Sequence, residues 1–389
     1  MEKFICGNDA VAEGVRLARP HVISAYPITP QTIAVERLSD MCEDGSLKAD
    51  YMHVESEHSA LAAAMGVSSV GARAFTATSS QGLLYMAECL PYASGARLPI
   101  VMMNANRAIA TPWNIYGDQM DSMFLLNSGW IQVYVEDAQE ALDMMIQAYR
   151  IAEDKRVMAP VMVNLDGFVL THTYELVNIP SQEDVDAFLP PINLEDQVMT
   201  IDNPKSLCIS AGNDFNFEFK IKQEQDLTNS KSVLEEVDEA FSQAFGRKYH
   251  GLLETYKMED AEAVLITTGS ITGTTRIVVD EMRQAGHKVG LLKLRYLRPF
   301  PQEALNKALE GIKAIGVIDK NISFGYEGTI YTNVNSSIIH METPPKSINF
   351  IGGLGGRDIT KANIEEAFQK LMSGDSLDRV QYMNVRCEQ

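Results

Sequence analysis

The sequence predicts an α/β protein of two domains, each a parallel sheet with helices on both faces. Three observations predict it. The chain has 389 residues, roughly twice the usual domain length of about 100–200. Short apolar runs rich in β-branched residues alternate with longer amphipathic stretches, the order expected of parallel strands joined by crossover helices. The alternation lapses near residue 176 and resumes near 255, which divides the chain.

In the first domain, strands are expected at 21–28 (HVISAYPI), 50–56 (DYMHVES), 73–79 (RAFTATS), 98–104 (LPIVMMN), 131–136 (IQVYVE) and 160–166 (PVMVNLD). Residues 31–45, 57–71, 82–95 and 137–155 read as the helices between them. The last opens with Asp137 three residues ahead of Glu140, an N-cap followed by an acid at the right spacing. Residues 176–254 carry several prolines and acids, with no 3.6-residue period until about Ser232. They are expected to form a long connector that ends in a helix around 232–246. Strands resume at 261–270, 287–297, 313–321 and 346–354, which gives a smaller α/β domain.

Hydrophobic residues make up 46% of the chain and charged residues 22%, which excludes wholesale disorder. The net charge is −19. Such a surface repels phosphate backbones and anionic lipid, so neither nucleic acid nor a membrane is expected as a partner. It suits a basic partner, or serves solubility alone. There is no run of about 18 apolar residues, and the first residues lack the basic-then-apolar order of a signal peptide. A cytoplasmic protein is expected.

The five cysteines, Cys6, Cys42, Cys89, Cys208 and Cys387, include no CxxC pair, and the seven histidines include no HExxH. No metal or iron–sulfur site local to this sequence is therefore expected. Any electron carrier belongs elsewhere.

Ligands of such folds bind beyond the carboxyl ends of the strands, so the polar clusters found there take priority. In Tyr26-Pro27-Ile28-Thr29-Pro30-Gln31, two prolines stiffen a loop that presents the Thr29 hydroxyl. The same residues also suit a plain turn with Thr29 as N-cap and Pro30 as the first helical residue. His53-Val54-Glu55-Ser56-Glu57-His58-Ser59 puts two acids and two imidazoles at a helix start. That is a set for acid–base work, or merely acids favoured by the helix dipole. Thr76-Ala77-Thr78-Ser79-Ser80-Gln81-Gly82 can hold an anion or a polar ring, or simply cap a helix; it lacks the lysine and spacing of a P-loop. Arg107, in Asn104-Ala105-Asn106-Arg107-Ala108, offers a fork for a carboxylate, or is an ordinary exposed arginine. The polar stretch to Gly129, with Asn114, Asp118 and Asp121, reads as an active-site loop. Gly269–Gly273 and Gly352–Gly356 read as tight turns without a GxGxxG fingerprint.

Taken together, GNDAVAEGVRLARP, YPITPQT, VESEHSAL, GARAFTATSSQGL, LPIVMMNANRA, GWIQ and PVMVNLDGF resemble the alpha subunit of the 2-oxoacid:ferredoxin oxidoreductases. The pyruvate:ferredoxin oxidoreductases (pyruvate synthases) are the nearest branch, and GSITGT, LRYLRPFP, IGVIDKN and GGLGGRD extend the likeness into the second domain. The resemblance implies a thiamine diphosphate-binding, pyrimidine-type domain over 1–175, a connector over 176–254 and a transketolase C-terminal-like domain over 255–389. It implies that Glu57 hydrogen-bonds N1′ of the thiamine aminopyrimidine, and that Ser80 and Gln81 also contact the cofactor. Thr29 and Arg107, with Tyr26, would hold a 2-oxoacid, and Asn114, Asp118 and Asp121 would lie on a nearby loop. The implied reaction is oxidative decarboxylation of a 2-oxoacid to an acyl-CoA and carbon dioxide, or its reverse. Coenzyme A is the co-substrate, and electrons pass through [4Fe-4S] clusters to ferredoxin.

The magnesium–diphosphate motif, GDG followed by an asparagine pair, is missing, so the resemblance assigns it to a beta subunit. Small ferredoxin-like gamma and delta subunits would hold the clusters. The 115–121 loop departs from the family's usual wording, and a single site arginine suits a monocarboxylate such as pyruvate. A branched-chain substrate, 2-oxoisovalerate, is the nearest alternative. A non-redox thiamine enzyme subunit and a non-catalytic scaffold are the readings from other classes.

Overall fold

Two sheets organise the chain in a computed structural model that describes residues 1–194, 198–373 and 378–386. Cys387 lies outside the described residues. The first sheet has seven strands in the order Tyr296–Arg298, Ile131–Tyr134, Val161–Asp166, Val101–Asn106, Ala74–Thr78, Val22–Ala25 and Asp50–His53. All neighbours are parallel except the first pair. The six strands expected from residues 21–166 are all present. Ala74–Thr78, Val101–Asn106 and Val161–Asp166 are buried along their whole length, as central parallel strands covered on both faces must be.

Helices Gly7–Ala18 and Ala138–Ala152 cover one face, where Val15, Leu142 and Met145 pack with Phe75 and Met103. Leu61 of helix Glu57–Ser69 covers the other face with Leu83, Leu90 and Trp130. The expected cap at 137 forms: Asp137 Oδ1 accepts the Glu140 N–H at 2.7 Å. Glu140 Oε2 in turn accepts the Glu136 N–H at 2.8 Å.

The second sheet has six strands in the order Val380–Tyr382, Lys346–Ile351, Ala314–Asp319, Ala263–Thr267, Val289–Leu294 and Leu253–Tyr256. Only the last pair is antiparallel. The single strand expected at 287–297 is in fact two, and the break falls at Arg295. Val289–Leu294 belongs to the second sheet, while Tyr296–Arg298 crosses over to edge the first. Charge pins the crossing. Arg295 Nε donates to Glu140 Oε1 at 2.8 Å and Lys293 Nζ to Glu140 Oε2 at 2.7 Å, with all three side chains buried.

The 176–254 stretch holds more structure than its composition suggests. Tyr174–Asn178 pairs antiparallel with Glu2–Cys6, a surface ribbon too exposed to carry an apolar signature. The expected helix at 232–246 is the end of a 30-residue helix, Asn216–Phe245. Its first half leaves Phe217, Phe219 and Ile221 exposed, so no buried stripe marks it in the sequence. Among the described residues, no helix is long and apolar enough to cross a membrane.

Candidate active site

Five polar segments follow adjacent strands of the seven-stranded sheet at its carboxyl end, and hydrogen bonds tie four of them together. Arg107 follows Val101–Asn106 and is 6% exposed. Its Nε donates to Asn114 O at 3.2 Å and its Nη1 to Thr29 O at 2.9 Å. No carboxylate of the described residues forms an ion pair with it, and Nη2 finds no acceptor among them. Burial lowers its pKa, with Asp121 opposing, yet a guanidinium stays charged in proteins. A buried guanidinium that makes no ion pair and keeps one nitrogen free is a place for an anion.

Thr29 presents an exposed side chain whose hydroxyl makes no hydrogen bond to a described residue. It is not the N-cap that one local reading allows. The helix starts at Thr32 with Gln31 as the capping residue, and Gln31 Nε2 reaches back to Tyr26 O at 2.9 Å. The turn is held from below by Asn8, fully buried, whose Nδ2 donates to Pro30 O at 2.9 Å. Tyr26 joins the network through that carbonyl only; its ring is exposed.

Asp121 is the hub. Its Oδ2 accepts the main-chain N–H of Ser80 at 2.9 Å and of Arg107 at 3.1 Å. Its Oδ1 accepts Asn106 Nδ2 and the Ser122 N–H, both at 2.8 Å. One buried carboxylate thus joins the strand ends that carry Ser80 and Arg107. Burial pushes its pKa up to about 6, against the pull of these N–H donors. Ser80 sits at φ +52°, a left-handed conformation costly for a residue with a Cβ. The Asp121 bond and its own Oγ, 2.6 Å from Ala108 O, hold it there.

Glu57 opens helix Glu57–Ser69 behind the N-cap Ser56, whose Oγ accepts the Ser59 N–H at 3.1 Å. Glu57 is 8% exposed, and its carboxylate makes no hydrogen bond or ion pair to a described residue. Gly82 lies directly against it. A Cβ there would fall 2.7 Å from Glu57 Oε1 and 2.7 Å from Thr78 Oγ1. Thr78 Oγ1 and Gln81 Nε2 are buried without partners. A lone carboxylate and an orphaned hydroxyl against a glycine floor form a cradle for a flat ring with polar edges. An aminopyrimidine fits that donor and acceptor set.

The 114–118 segment turns away from this cradle and onto the second sheet. Asn114 Nδ2 donates to Gly355 O at 3.0 Å, and Asp118 Oδ2 accepts the Gly355 N–H at 2.9 Å. Burial raises the Asp118 pKa, opposed by the Gly355 and Met120 N–H donors. The turn at 352–356 is therefore a docking point for the first domain's loop. Sequence reasoning passed over Asn8 and Asp166, which closes strand Val161–Asp166. Asp166 carried a usable signal, an acid at a parallel strand's carboxyl end, whereas Asn8 carried none. Among the described residues, no three His, Cys, Asp or Glu side chains are arranged to hold a metal ion.

A family profile described as pyruvate flavodoxin/ferredoxin oxidoreductase, thiamine diphosphate-binding, matches residues 13–239. A second, pyruvate:ferredoxin oxidoreductase core domain II, matches residues 261–364. Pyruvate synthase subunit PorA of Methanothermobacter thermautotrophicus is 49% identical, covering 95% of this chain and 94% of that protein. Ketoisovalerate oxidoreductase subunit VorA of Pyrococcus abyssi is 41% identical, covering 97% of this chain and 96% of that protein. The solved 2-oxoglutarate:ferredoxin oxidoreductase of Magnetococcus marinus shares the fold, with a TM-score of 0.75 at 22% identity. That match covers 95% of this chain and 65% of the other. An α/β chain with a thiamine diphosphate-binding domain followed by core domain II, at this identity to such subunits, belongs to the pyruvate:ferredoxin oxidoreductase family.

Proposed function

We propose that this chain is the alpha subunit of a cytoplasmic, multi-subunit 2-oxoacid:ferredoxin oxidoreductase. Its reaction is the coenzyme A-dependent oxidative decarboxylation of pyruvate to acetyl-CoA and carbon dioxide, or the reverse carboxylation. Residues 1–175 would serve as the pyrimidine-side domain and 255–389 as the transketolase C-terminal-like domain, joined by 176–254. Thiamine diphosphate, when bound, supplies the carbon nucleophile and the electron sink that decarboxylation of a 2-oxoacid requires.

The observation that carries the proposal is the buried, unpartnered Glu57 carboxylate pressed against Gly82. In that position its carboxyl would share a proton with a pyrimidine ring nitrogen, which has no hydrogen of its own in the neutral amino form, and no protein donor competes for it. Ser80 and Gln81, just ahead of Gly82, would add further cofactor contacts; Gln81 Nε2 is buried and has no protein partner among the described residues. Arg107 Nη2 and the Thr29 hydroxyl, both free of protein partners among the described residues, hold the carboxylate and oxo oxygen of the substrate. A single cation suits a monocarboxylate, and Asn114 and Asp118 fix the loop that backs it.

The diphosphate and its magnesium would be held by a beta subunit. The [4Fe-4S] clusters would be held by gamma and delta subunits that hand electrons to ferredoxin. Exposed Tyr85, Tyr92, Trp113, Ile115 and Phe124, on the segments that follow the sheet, support a partner across the site. Ala62 and Gly66, exposed on helix Glu57–Ser69, let another backbone approach closely.

The test uses the complex purified with its co-eluting subunits. Glu57→Gln should lower pyruvate- and CoA-dependent reduction of a viologen dye by about 10²–10⁴-fold, with the subunits still assembled. Unchanged turnover would remove Glu57 from the chemistry and favour a scaffold. A complex free of iron would favour a non-redox thiamine enzyme. Faster turnover of 2-oxoisovalerate than of pyruvate would reassign the substrate.

A further inference from the structure

In open α/β sheets, the ligand crevice lies beyond the carboxyl ends of the strands where the strand order reverses. In the six-stranded sheet that point falls between Ala263–Thr267 and Ala314–Asp319. From the first of these the chain steps outward to Val289–Leu294, then returns to the other side. The residues bordering the crevice are Thr268–Ser270 and Lys320–Asn321. A residue of the other domain fills it.

Asp166, the last residue of strand Val161–Asp166, is 2% exposed. Its Oδ2 accepts the Ser270 N–H at 2.8 Å and the Ser270 hydroxyl at 2.5 Å. Its Oδ1 lies 3.0 Å from Lys320 Nζ and accepts Gln119 Nε2 at 3.2 Å. Gly269 is at φ +74°, and a Cβ there would sit 2.8 Å from Asp166 Oδ2. An ammonium, a hydroxyl, an amide and an N–H at the start of helix Ile271–Gln284 form the donor set of an anion site. Here the anion belongs to the chain itself. Burial alone would raise its pKa, but Lys320 and the Ser270 donors outweigh burial and hold it below the usual carboxylate range.

Asp166 also belongs to the framework of the first-domain site. It stands in register with Asn106, the residue before Arg107. The Gly167 N–H donates to Asn106 O at 3.0 Å. A Cβ on Gly167 would fall 2.3 Å from Asn106 O and 3.0 Å from Pro30 Cγ, so the strand end is wedged between the Arg107 and Thr29 segments. On the other side, the Gln119 N–H donates to Lys320 O at 2.8 Å, two residues ahead of Asp121.

We propose that Asp166 is a positioning residue: an internal anion that fills the second domain's ligand crevice and, through Lys320, Ser270 and Gln119, fixes the 114–121 segment and Arg107 for substrate binding. The substrate half of this inference rests on the proposed function; the clamp on 114–121 does not. Each half has its own readout.

The experiment is Asp166→Ala in the intact complex, with and without formate, which restores a carboxylate to the vacated space. Amide hydrogen exchange over 107–121 should accelerate locally and slow again with formate, but not with the neutral isostere formamide. The KM for pyruvate should rise by about 10–100-fold with a smaller change in kcat, and formate should reverse part of that rise. Unchanged exchange over 107–121, or acceleration across the whole chain that formate does not touch, overturns the clamp. Restored local exchange without any change in KM upholds the clamp and overturns its part in positioning Arg107 for substrate. Should Asp166→Ala not assemble, Asp166→Asn is measured by the same exchange. The amide keeps the shape without the charge that Lys320 needs, so local acceleration is expected, and its absence refutes the role.

Discussion

Arg107 Nη1 donates to the main-chain oxygen of Thr29 at 2.9 Å, so the two residues proposed to receive the substrate are fixed to each other before it arrives. The arginine uses its fork in two directions at once. Nε and Nη1 hold protein carbonyls, and Nη2 remains for a ligand.

Lysine cannot copy that division, because one ammonium at the end of a flexible stem replaces a planar fork. Arg107→Lys should therefore raise the KM for pyruvate and lower kcat/KM by about 10²-fold, on the order of 3 kcal/mol for a charged hydrogen-bonded contact. Steady-state dye reduction against pyruvate concentration measures it. A variant with wild-type KM would place the substrate carboxylate elsewhere.

Gly82→Ala tests the cradle from its floor. The added methyl group would meet Glu57 Oε1 and Thr78 Oγ1 at 2.7 Å each, so one of them must move. Overpacking of this kind costs about 1–3 kcal/mol. The expected outcome is weakened thiamine diphosphate binding, read by titration of the apo-complex, with a modest drop in melting temperature. Unaltered cofactor affinity would show that the cradle holds something else.

Asp121 gives a pH dependence with a defined sign. Its carboxyl is raised from 3.8 to about 6 by burial, so the folded chain holds this proton more tightly than the unfolded chain does. Its contribution to stability is therefore largest below pH about 4 and falls as pH rises through about 6. Asp121→Asn removes that titration. Urea unfolding at a series of pH values should show wild type gaining on the variant by about 1–3 kcal/mol from neutral pH down to about 4. A constant difference across that range would mean that Asp121 keeps its charge throughout.

Glu140 carries the opposite sign. Burial opposes its ionisation, but Lys293 and Arg295 overcome burial and hold its carboxyl down at about 2. Its contribution is present above the ordinary carboxylate range and lost as pH falls toward 2. Glu140→Gln leaves Lys293 with Glu136 at 2.9 Å but Arg295 with only the longer Asp238 contact at 3.6 Å, and should destabilise the fold by about 2–4 kcal/mol. Thermal unfolding of wild type and variant at neutral pH checks it; a loss below about 1 kcal/mol would mean that water or another acid replaces the pair.

Much of this architecture was legible because central parallel strands are buried on both faces and so read as unbroken apolar runs. The positions of Thr29, Glu57, Ser80 and Arg107 were legible for a related reason, each standing just past a strand in a polar cluster, whereas the roles proposed for them rest on the family resemblance. The misses share a cause as well. Glu2–Cys6 and Tyr174–Asn178 bury too few side chains to leave a periodic trace. Phe215, Phe217 and Phe219 alternate as a strand would, yet Phe217 and Phe219 lie in a helix whose first half packs on little. The break at Arg295 depends on Glu140, more than 150 residues earlier, and no local pattern encodes such a partner. Asp166 was hidden differently. Its sequence environment names a strand end, but its donors arrive from 119, 270 and 320.

The passage of Tyr296–Arg298 into the first sheet has a consequence for inheritance. A gene cut near residue 254 would leave Ile131–Tyr134 as a bare sheet edge. The Tyr134 N–H, which now donates to Arg295 O at 2.8 Å, would lose its acceptor. Glu140 would be stranded without its cations. Bare edges recruit strands from other copies, so such a fragment should aggregate rather than fold. Recombination between relatives can therefore exchange the second half only where the incoming half also supplies the edge strand and the two cations. Each half completes the other, and the two must evolve as one unit.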